Sequence, residues 1–421
     1  MAQRPEWIYR GSLIAGCAAI QLAYSATHLR FRADPLQRYA QFLDPALLQD
    51  RLLESLWWLH SQPPLLNFLA GLALKVAPAN PAAPLGVLFA LCGLASCCWL
   101  AGTLRRLGFP RVVAASVGLF YVATPPFVLY QNWFFYPHLG QTLLLGVAYC
   151  FTRAEGTAGR WLAGGFWTFA ALVALRSFYH PIFLLFATAA VVALASRGQR
   201  GRALRLAAGP VAVVLALGLK NLWLFGFFGT SSWGGNSFHR MMTESLGRAV
   251  VERMVHEGTL SPVSLEWEFS PPEKYVALLA PVGGDRGVPA VDAIRKERGK
   301  CDTANYNHWV YPIASREYAA GALRMLREHP GAYLRSIAWT TRRYFDAIGD
   351  DEFIAPIRFW IRKVADPWDA FEGSVGYRAL LALGLFGVLV GALRPSTAAH
   401  ERLFLVFAAG TILWVSAAGI C

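Results

Sequence analysis

Charge is scarce in this chain. Of 421 residues only 15% are Asp, Glu, Lys or Arg, where soluble domains carry about 25%. Acids are scarcer than bases, 26 against 39, and lysine supplies only six of the 39. The net charge of +13 is therefore an arginine charge. A nucleic-acid partner would call for a basic soluble domain. With 55% of residues apolar, the arginines read instead as cytoplasmic anchors of a membrane protein with an anionic partner. No spacing typical of a metal site occurs. Cys17, Cys92, Cys97, Cys98, Cys150 and Cys421 lie in apolar runs and Cys301 stands alone in a polar one, so no disulfide framework can be read. Gly-x-Gly-x-x-Gly and Walker patterns are missing, as are internal repeats and low-complexity segments. No organic cofactor is expected, and the sequence leaves metal dependence open. Met1 to Arg10 and the apolar run after it lack a small-residue cleavage site, which makes that run an uncleaved first helix.

What is present is a series of uncharged runs of ~15–20 residues. They fall at about 11–29, 84–104, 112–129, 139–152, 161–175, 182–196, 206–222, 377–393 and 403–420. That makes an all-α polytopic membrane protein of about nine spans. Arg4 and Arg10 place the N-terminus in the cytoplasm, so the first loop, about 30–83, is outside. The run from Leu65 to Ala77 would reach only ~20 Å as a helix, short of a ~30 Å hydrocarbon core. It reads as a helix in the outer interface, with a short tilted span as the alternative. If it does not cross, Arg105, Arg106 and Arg111 reach the cytoplasm, and so do Arg153, Arg160, Arg197, Arg200, Arg202, Arg205, Arg394 and Arg402.

The chain then divides into a membrane module over 1–222, an extracytoplasmic region over 223–375 and a closing hairpin over 376–421. The middle region, about 150 residues, is long enough for a small domain. Strand signals are weak in it. Helices are expected over Arg316–Glu328 and from Pro330 to about Ala347, the second with Leu334, Ile337, Ala338, Thr341 and Phe345 on one face and Arg335, Arg342 and Arg343 suited to a membrane surface.

Polar residues gather on the outer side. The first loop offers Asp34, Asp44, Asp50, Glu54, His60 and Gln62; later outer ends offer Gln131, Asn132, Tyr136, His138, Arg176, Tyr179 and His180; the seventh run closes on Lys220 and Asn221, followed by Ser231, Ser232, Trp233 and Asn236. Singly, each cation reads as a snorkelling side chain. Four polar and aromatic clusters on one face read as a site. The stretch Leu56-Trp57-Trp58-Leu59-His60-Ser61-Gln62-Pro63-Pro64-Leu65 centres it. Pro63 ends any helix before it and Pro64 can open the next.

An apolar first run, then Asp34-Pro35 and Leu43-Asp44-Pro45, then His60-Ser61-Gln62-Pro63-Pro64-Leu65, resembles the first outer loop of polyprenyl-phosphate-sugar glycosyltransferases of the GT-C fold. Protein O-mannosyltransferases and aminoarabinose transferases belong to that class. Its His/Lys-Pro-Pro-Leu motif is here interrupted by two residues, and the paired Asp-Glu of many members is reduced to Asp34 alone. The resemblance covers roughly the first half of the chain. It implies a GT-C-like helix bundle in the cell membrane with the site on the extracytoplasmic face. It also implies a polyprenyl-phosphate sugar donor, a glycan, lipid or protein acceptor, and inversion by single displacement.

Such a donor needs cations at its phosphate and a base for the acceptor hydroxyl. Arg176, Lys220, His60, His138 and His180 are candidates for the first task, with Gln62, Tyr136, Asn221 and Trp233 as further substrate contacts. Asp34 is preferred for the second, since it follows the first run where this class keeps its acid. Asp44 comes next, although Leu-Asp-Pro also fits a plain helix cap. Asp50 and Glu54, close to Arg51, read as a solvated face. His60 has three open roles: phosphate, acceptor, or ordering the turn. Trp57, Trp58 and Trp233 can stack on sugar or form an interfacial belt. A flippase or exporter of lipid-linked glycans is the rival reading. It would show half-repeats or charges buried in mid-span, and neither is visible.

Overall fold

Apolar runs punctuated by proline dictate the first half of the molecule. The computed structural model describes residues 6–154, 159–279, 285–297, 303–344, 358–393, 401 and 404–411. Arg4, Cys301, Arg394, Arg402, Cys421, Phe345, most of the run at 403–420 and the side chains of Arg342 and Arg343 lie outside the described residues. Among the described residues the chain is helical, with two isolated β-bridges and no strand.

The order begins α1 Glu6–Ser25, α2 Pro35–Arg38, α3 Pro45–Asp50, α4 Leu52–Trp57, α5 Leu65–Val76 and α6 Ala82–Arg106. It continues α7 Arg111–Ala123, α8 Pro125–Gln131, α9 Tyr136–Thr152, α10 Gly159–Leu175, α11 Pro181–Leu194 and α12 Arg200–Phe225. Proline opens α2, α3, α8 and α11 at positions where a missing N–H costs nothing. Helix α12 stops where Gly226 turns left-handed, φ 74°, a conformation that suits glycine.

Among the described residues two helices are long and apolar enough to cross a bilayer: Ala82–Arg106, and the 29 residues Arg197–Phe225 that include α12. A third exists if α7 and α8 form one span, bent by 61°. The straight run expected at 112–129 is thus broken, because Pro125 and Pro126 interrupt the i→i−4 ladder after Ala123. Helix α9 begins three residues earlier than the run expected from 139, so Tyr136 and His138 sit in its first turn and not in a loop.

Helix α5 is apolar but shorter than a span and packs one face against the first loop and α6. Leu66, Asn67, Ala70, Ala73 and Leu74 are buried in one cluster region with Leu48, Leu52 and Phe89. Asn67 accepts from the Leu43 amide at 2.8 Å and donates to the Gln41 carbonyl at 3.0 Å, while Lys75 donates to the Gln49 carbonyl at 2.6 Å. Both ends of α5 are therefore tied to the first loop.

The second half is α13 Gly234–Leu246, α14 Arg248–His256, α15 Pro272–Leu278, α16 Pro289–Asp292, α17 Val310–Glu328 and α18 Pro330–Tyr344, followed by helices Arg362–Glu372 and Val375–Leu393. Helix α17 starts six residues before the expected Arg316, since Val310, Tyr311 and Ala314 already face the core. Helices α13 and α17 pack closely at Gly235, where a Cβ would meet the Ser315 carbonyl oxygen at 1.9 Å. This half sits on the first loop. Phe225, Val288, Ala290 and Val291 form a cluster against Leu47 and Trp58.

Candidate functional site between the first loop and the end of α12

The turn after α4 is held by residues far away in sequence. Asn307 accepts from the His60 amide at 2.9 Å and the Ser61 amide at 3.1 Å, and donates to the Trp58 and Ala290 carbonyls, each at 3.1 Å. The Ser232 amide donates to the His60 carbonyl at 2.8 Å and the Ser231 hydroxyl to the Ser61 carbonyl at 2.6 Å. A proline-rich turn cannot satisfy its own backbone in a helix or ladder. These partners do it instead.

One side of that turn carries Lys220. Its ammonium donates to the Leu59 carbonyl. His60 is fully buried against the Phe225 ring, 4.5 Å between centroids, and its Nδ1 lies 2.9 Å from Ser232 Oγ. Burial, then the nearby Lys220 charge, pushes the His60 imidazole down to about 3. His60 is thus neutral at physiological pH. Contact with a phosphate would then start from a neutral imidazole and its free Nε2. Its Nε2 is buried without a hydrogen-bond partner, as are Asn221 Oδ1 and Trp233 Nε1. Buried polar atoms left unpaired cost about 1–3 kcal/mol each.

Arg176 is linked to the turn through Tyr136. The Tyr136 hydroxyl donates to Gln62 at 3.3 Å. The Arg176 guanidinium lies 5.4 Å from the centre of the Tyr136 ring and 5.5 Å from that of Phe178. Among the described residues no carboxylate pairs with Arg176 or with Lys220. Lys220, near the end of α12, thus touches the 59–62 turn directly, while Arg176, just past α10, is linked to it through Tyr136 and Gln62; Arg176 is exposed and Lys220 partly exposed.

Asp34 lies on the strip that enters this region. The Arg32 amide donates to the Asn132 carbonyl and the Phe134 amide to the Arg32 carbonyl, each at 2.9 Å. That places Asp34 beside the segment leading into Tyr136. Its carboxylate accepts from Arg32 Nε at 2.9 Å, makes no cap bond to α2 and keeps 31% of its side-chain surface. Asp44 stands elsewhere. It is buried; Oδ1 accepts from the Ala46 amide at 2.9 Å and Oδ2 from the Glu297 amide. Lys296, beside it, donates to the Tyr39 carbonyl at 3.0 Å. Burial holds the Lys296 ammonium down to about 8, with the Asp44 charge opposing.

No protein-family description, no curated protein and no solved structure matches this chain. The arrangement of its own side chains therefore carries the argument. His138 uses both ring nitrogens inside the bundle: Nε2 on the Phe89 carbonyl at 2.9 Å and Nδ1 on Gln141 at 3.1 Å. It is a packing residue, stacked on Phe89. His180 caps α11, its Nδ1 accepting from the Ile182 amide at 3.3 Å. The structure gathers His60, Gln62, Tyr136, Lys220, Asn221 and Trp233 around one turn, with Arg176 behind Tyr136 and Asp34 on the adjoining strip, and places Asp44, His138 and His180 apart from it, each bonded to nearby backbone or side chains. Among the described residues no group of three His, Cys, Asp or Glu side chains forms a metal site. Asn307 escaped the sequence reading because its partners lie far along the chain. Nothing local to Asn305-Tyr306-Asn307 marks it.

Proposed function

We propose that the chain is a polytopic membrane glycosyltransferase of about nine spans, with a GT-C-like bundle, its N-terminus in the cytoplasm and its site on the extracytoplasmic face of the cell membrane. The donor is a polyprenyl-phosphate sugar and the acceptor carries a hydroxyl. One observation supports this above the others: Lys220 holds the Leu59 carbonyl, Arg176 lies over the Tyr136 ring that bonds to Gln62, and neither cation meets a carboxylate among the described residues. Cations that lack an internal anion suit an anionic ligand, and a phosphate at a membrane surface is one. The flank of α12 beside Lys220 exposes Leu219, Leu222 and Trp223. Such a surface suits an isoprenoid tail.

In the reaction, the acceptor oxygen bonds to the anomeric carbon as the bond from that carbon to the phosphate oxygen breaks. The electron pair leaves with polyprenyl phosphate, whose gained charge Arg176 and Lys220 stabilise. The acceptor proton passes to the Asp34 carboxylate, which Arg32 orients. Attack opposite the leaving group inverts the anomeric centre. Neutral His60 contributes Nε2 as a hydrogen-bonding atom, not a charge.

The test is reconstitution in vesicles with a labelled polyprenyl-phosphate hexose and measurement of released polyprenyl phosphate. Release by the native chain, absent in Asp34→Asn, is the expected result. Movement of intact donor across the bilayer with no release would make the chain a carrier instead.

A further inference from the structure

A second polar centre lies in the outer region, away from the 59–62 turn. Helices α13 and α14 and the segment 264–268 enclose a cleft of about 290 Å³, at the lower end of the roughly 300–1,000 Å³ of small-molecule sites. The indole of Trp267 stands in its wall with 55% of its surface exposed. Glu268 forms part of the wall and is otherwise buried. Its Oε1 lies 2.7 Å from His239 Nδ1 and accepts from the Thr243 hydroxyl at 3.1 Å. Among the described residues no donor meets Oε2. His239 is fully buried, packs on Tyr318, and its Nε2 has no partner. The His239–Glu268 pair plays no part in the donor site.

Among the described residues, every charged side chain of the cleft except Glu268 has a partner of opposite charge. Arg240 is paired with Glu244 at 2.7 Å and Arg248 with Glu252 at 2.8 Å, while Glu266 is held by Lys274 at 2.9 Å. A polyanion gains little from neutralised arginines, and a cation would meet guanidinium groups on the rim. A neutral ligand rich in hydroxyls suits the set. Carboxylate oxygens accept from hydroxyls, and the flat indole covers the C–H face of a sugar ring. The Trp267 ring also leads inward: it lies 5.7 Å from Phe269, which lies 5.2 Å from Trp233, beside Ser232 and His60.

We infer that this cleft binds a saccharide, gripped by Trp267 and Glu268, and that the ring series Trp267–Phe269–Trp233 leads it toward the 59–62 turn. This rests on the glycosyltransferase reading only in making the saccharide the acceptor. Binding itself does not depend on transfer.

The purified full chain in detergent is titrated with linear trisaccharides of mannose, glucose, galactose and arabinose and followed by saturation-transfer NMR. At least one should bind. Trp267→Ala, which removes the stacking surface, and Glu268→Gln, which removes a charged acceptor, should each weaken it by about tenfold or more. Trp267→Phe should restore part, and Asp34→Asn should bind as the native chain does. Trp267 is exposed, so its replacement leaves the fold intact even if Glu268→Gln does not. Failure of all four sugars to bind the native chain, or unchanged binding in Trp267→Ala, overturns the inference. Saccharide binding by a native chain that shows no transferase activity overturns the glycosyltransferase reading and leaves the cleft standing.

Discussion

Asp34 and Asp44 open two short helices of the same loop, each just ahead of a proline, and their side chains have opposite fates. Asp44 is buried and both its oxygens are taken by backbone amides, one of them from the distant Glu297. Asp34 makes no cap bond, meets only Arg32 and stays partly open to solvent. An aspartate whose oxygens are saturated by fixed donors is a clamp. One left accessible, oriented by a single cation, can still take a proton. Partner saturation separates scaffold from chemistry where the local sequence is the same.

The largest effect expected from this contrast is on rate. Asp34→Asn should lower sugar transfer by ~10²–10⁴-fold, the usual worth of a general base, with the melting temperature unchanged. Equal loss of rate and stability in that variant would erase the distinction from Asp44. Next, Asp44→Ala should cost about 2–4 kcal/mol of stability, because two backbone amides lose their acceptor in a buried setting, measured as a lower midpoint in a detergent unfolding series. Asn307→Ala should cost a similar amount, since it strips partners from the His60 and Ser61 amides and two carbonyls.

Smaller is the pH effect of His60. Its folded-state value lies at about 3, below the unfolded 6.5, so the unfolded chain takes up the proton first. Stability should therefore fall as pH drops below about 6.5, by about 2 kcal/mol between pH 7 and 5 from this group. His60→Asn should flatten that part of the curve, read as the melting temperature across the range. Smallest is Glu54→Gln. It breaks only the exposed Arg51–Glu54 pair and should move stability by less than ~0.5 kcal/mol.

The apolar runs were legible because a helix inside a greasy environment is a local matter of composition and length. The described residues bear out an all-α architecture, and helices stand at or around each expected run that they cover. What local composition misses is where a helix begins. Pro137 in the first turn draws Tyr136 and His138 into α9, and Pro125 breaks the run that begins at Arg111. The site was legible only as an inventory of polar residues. Its order comes from contacts between the first loop and residues 220–307, and such long-range pairing leaves no periodic trace. Asn307, Lys296 and the His239–Glu268 pair carry no local signal of that kind. Asp34 and Asp44 could be named, but part of what distinguishes them, the Glu297 amide that takes the second Asp44 oxygen, lies far along the chain.

The central claim is that Arg176 and Lys220 together hold a lipid-borne phosphate beside the 59–62 turn. Its most direct measurement is binding of undecaprenyl phosphate to the purified chain by native mass spectrometry, for the native protein and for an Arg176→Gln, Lys220→Met double variant. The account predicts binding by the native chain and a loss of about tenfold or more in the double variant, as expected when charge-assisted hydrogen bonds are removed. Equal binding by the two would contradict it.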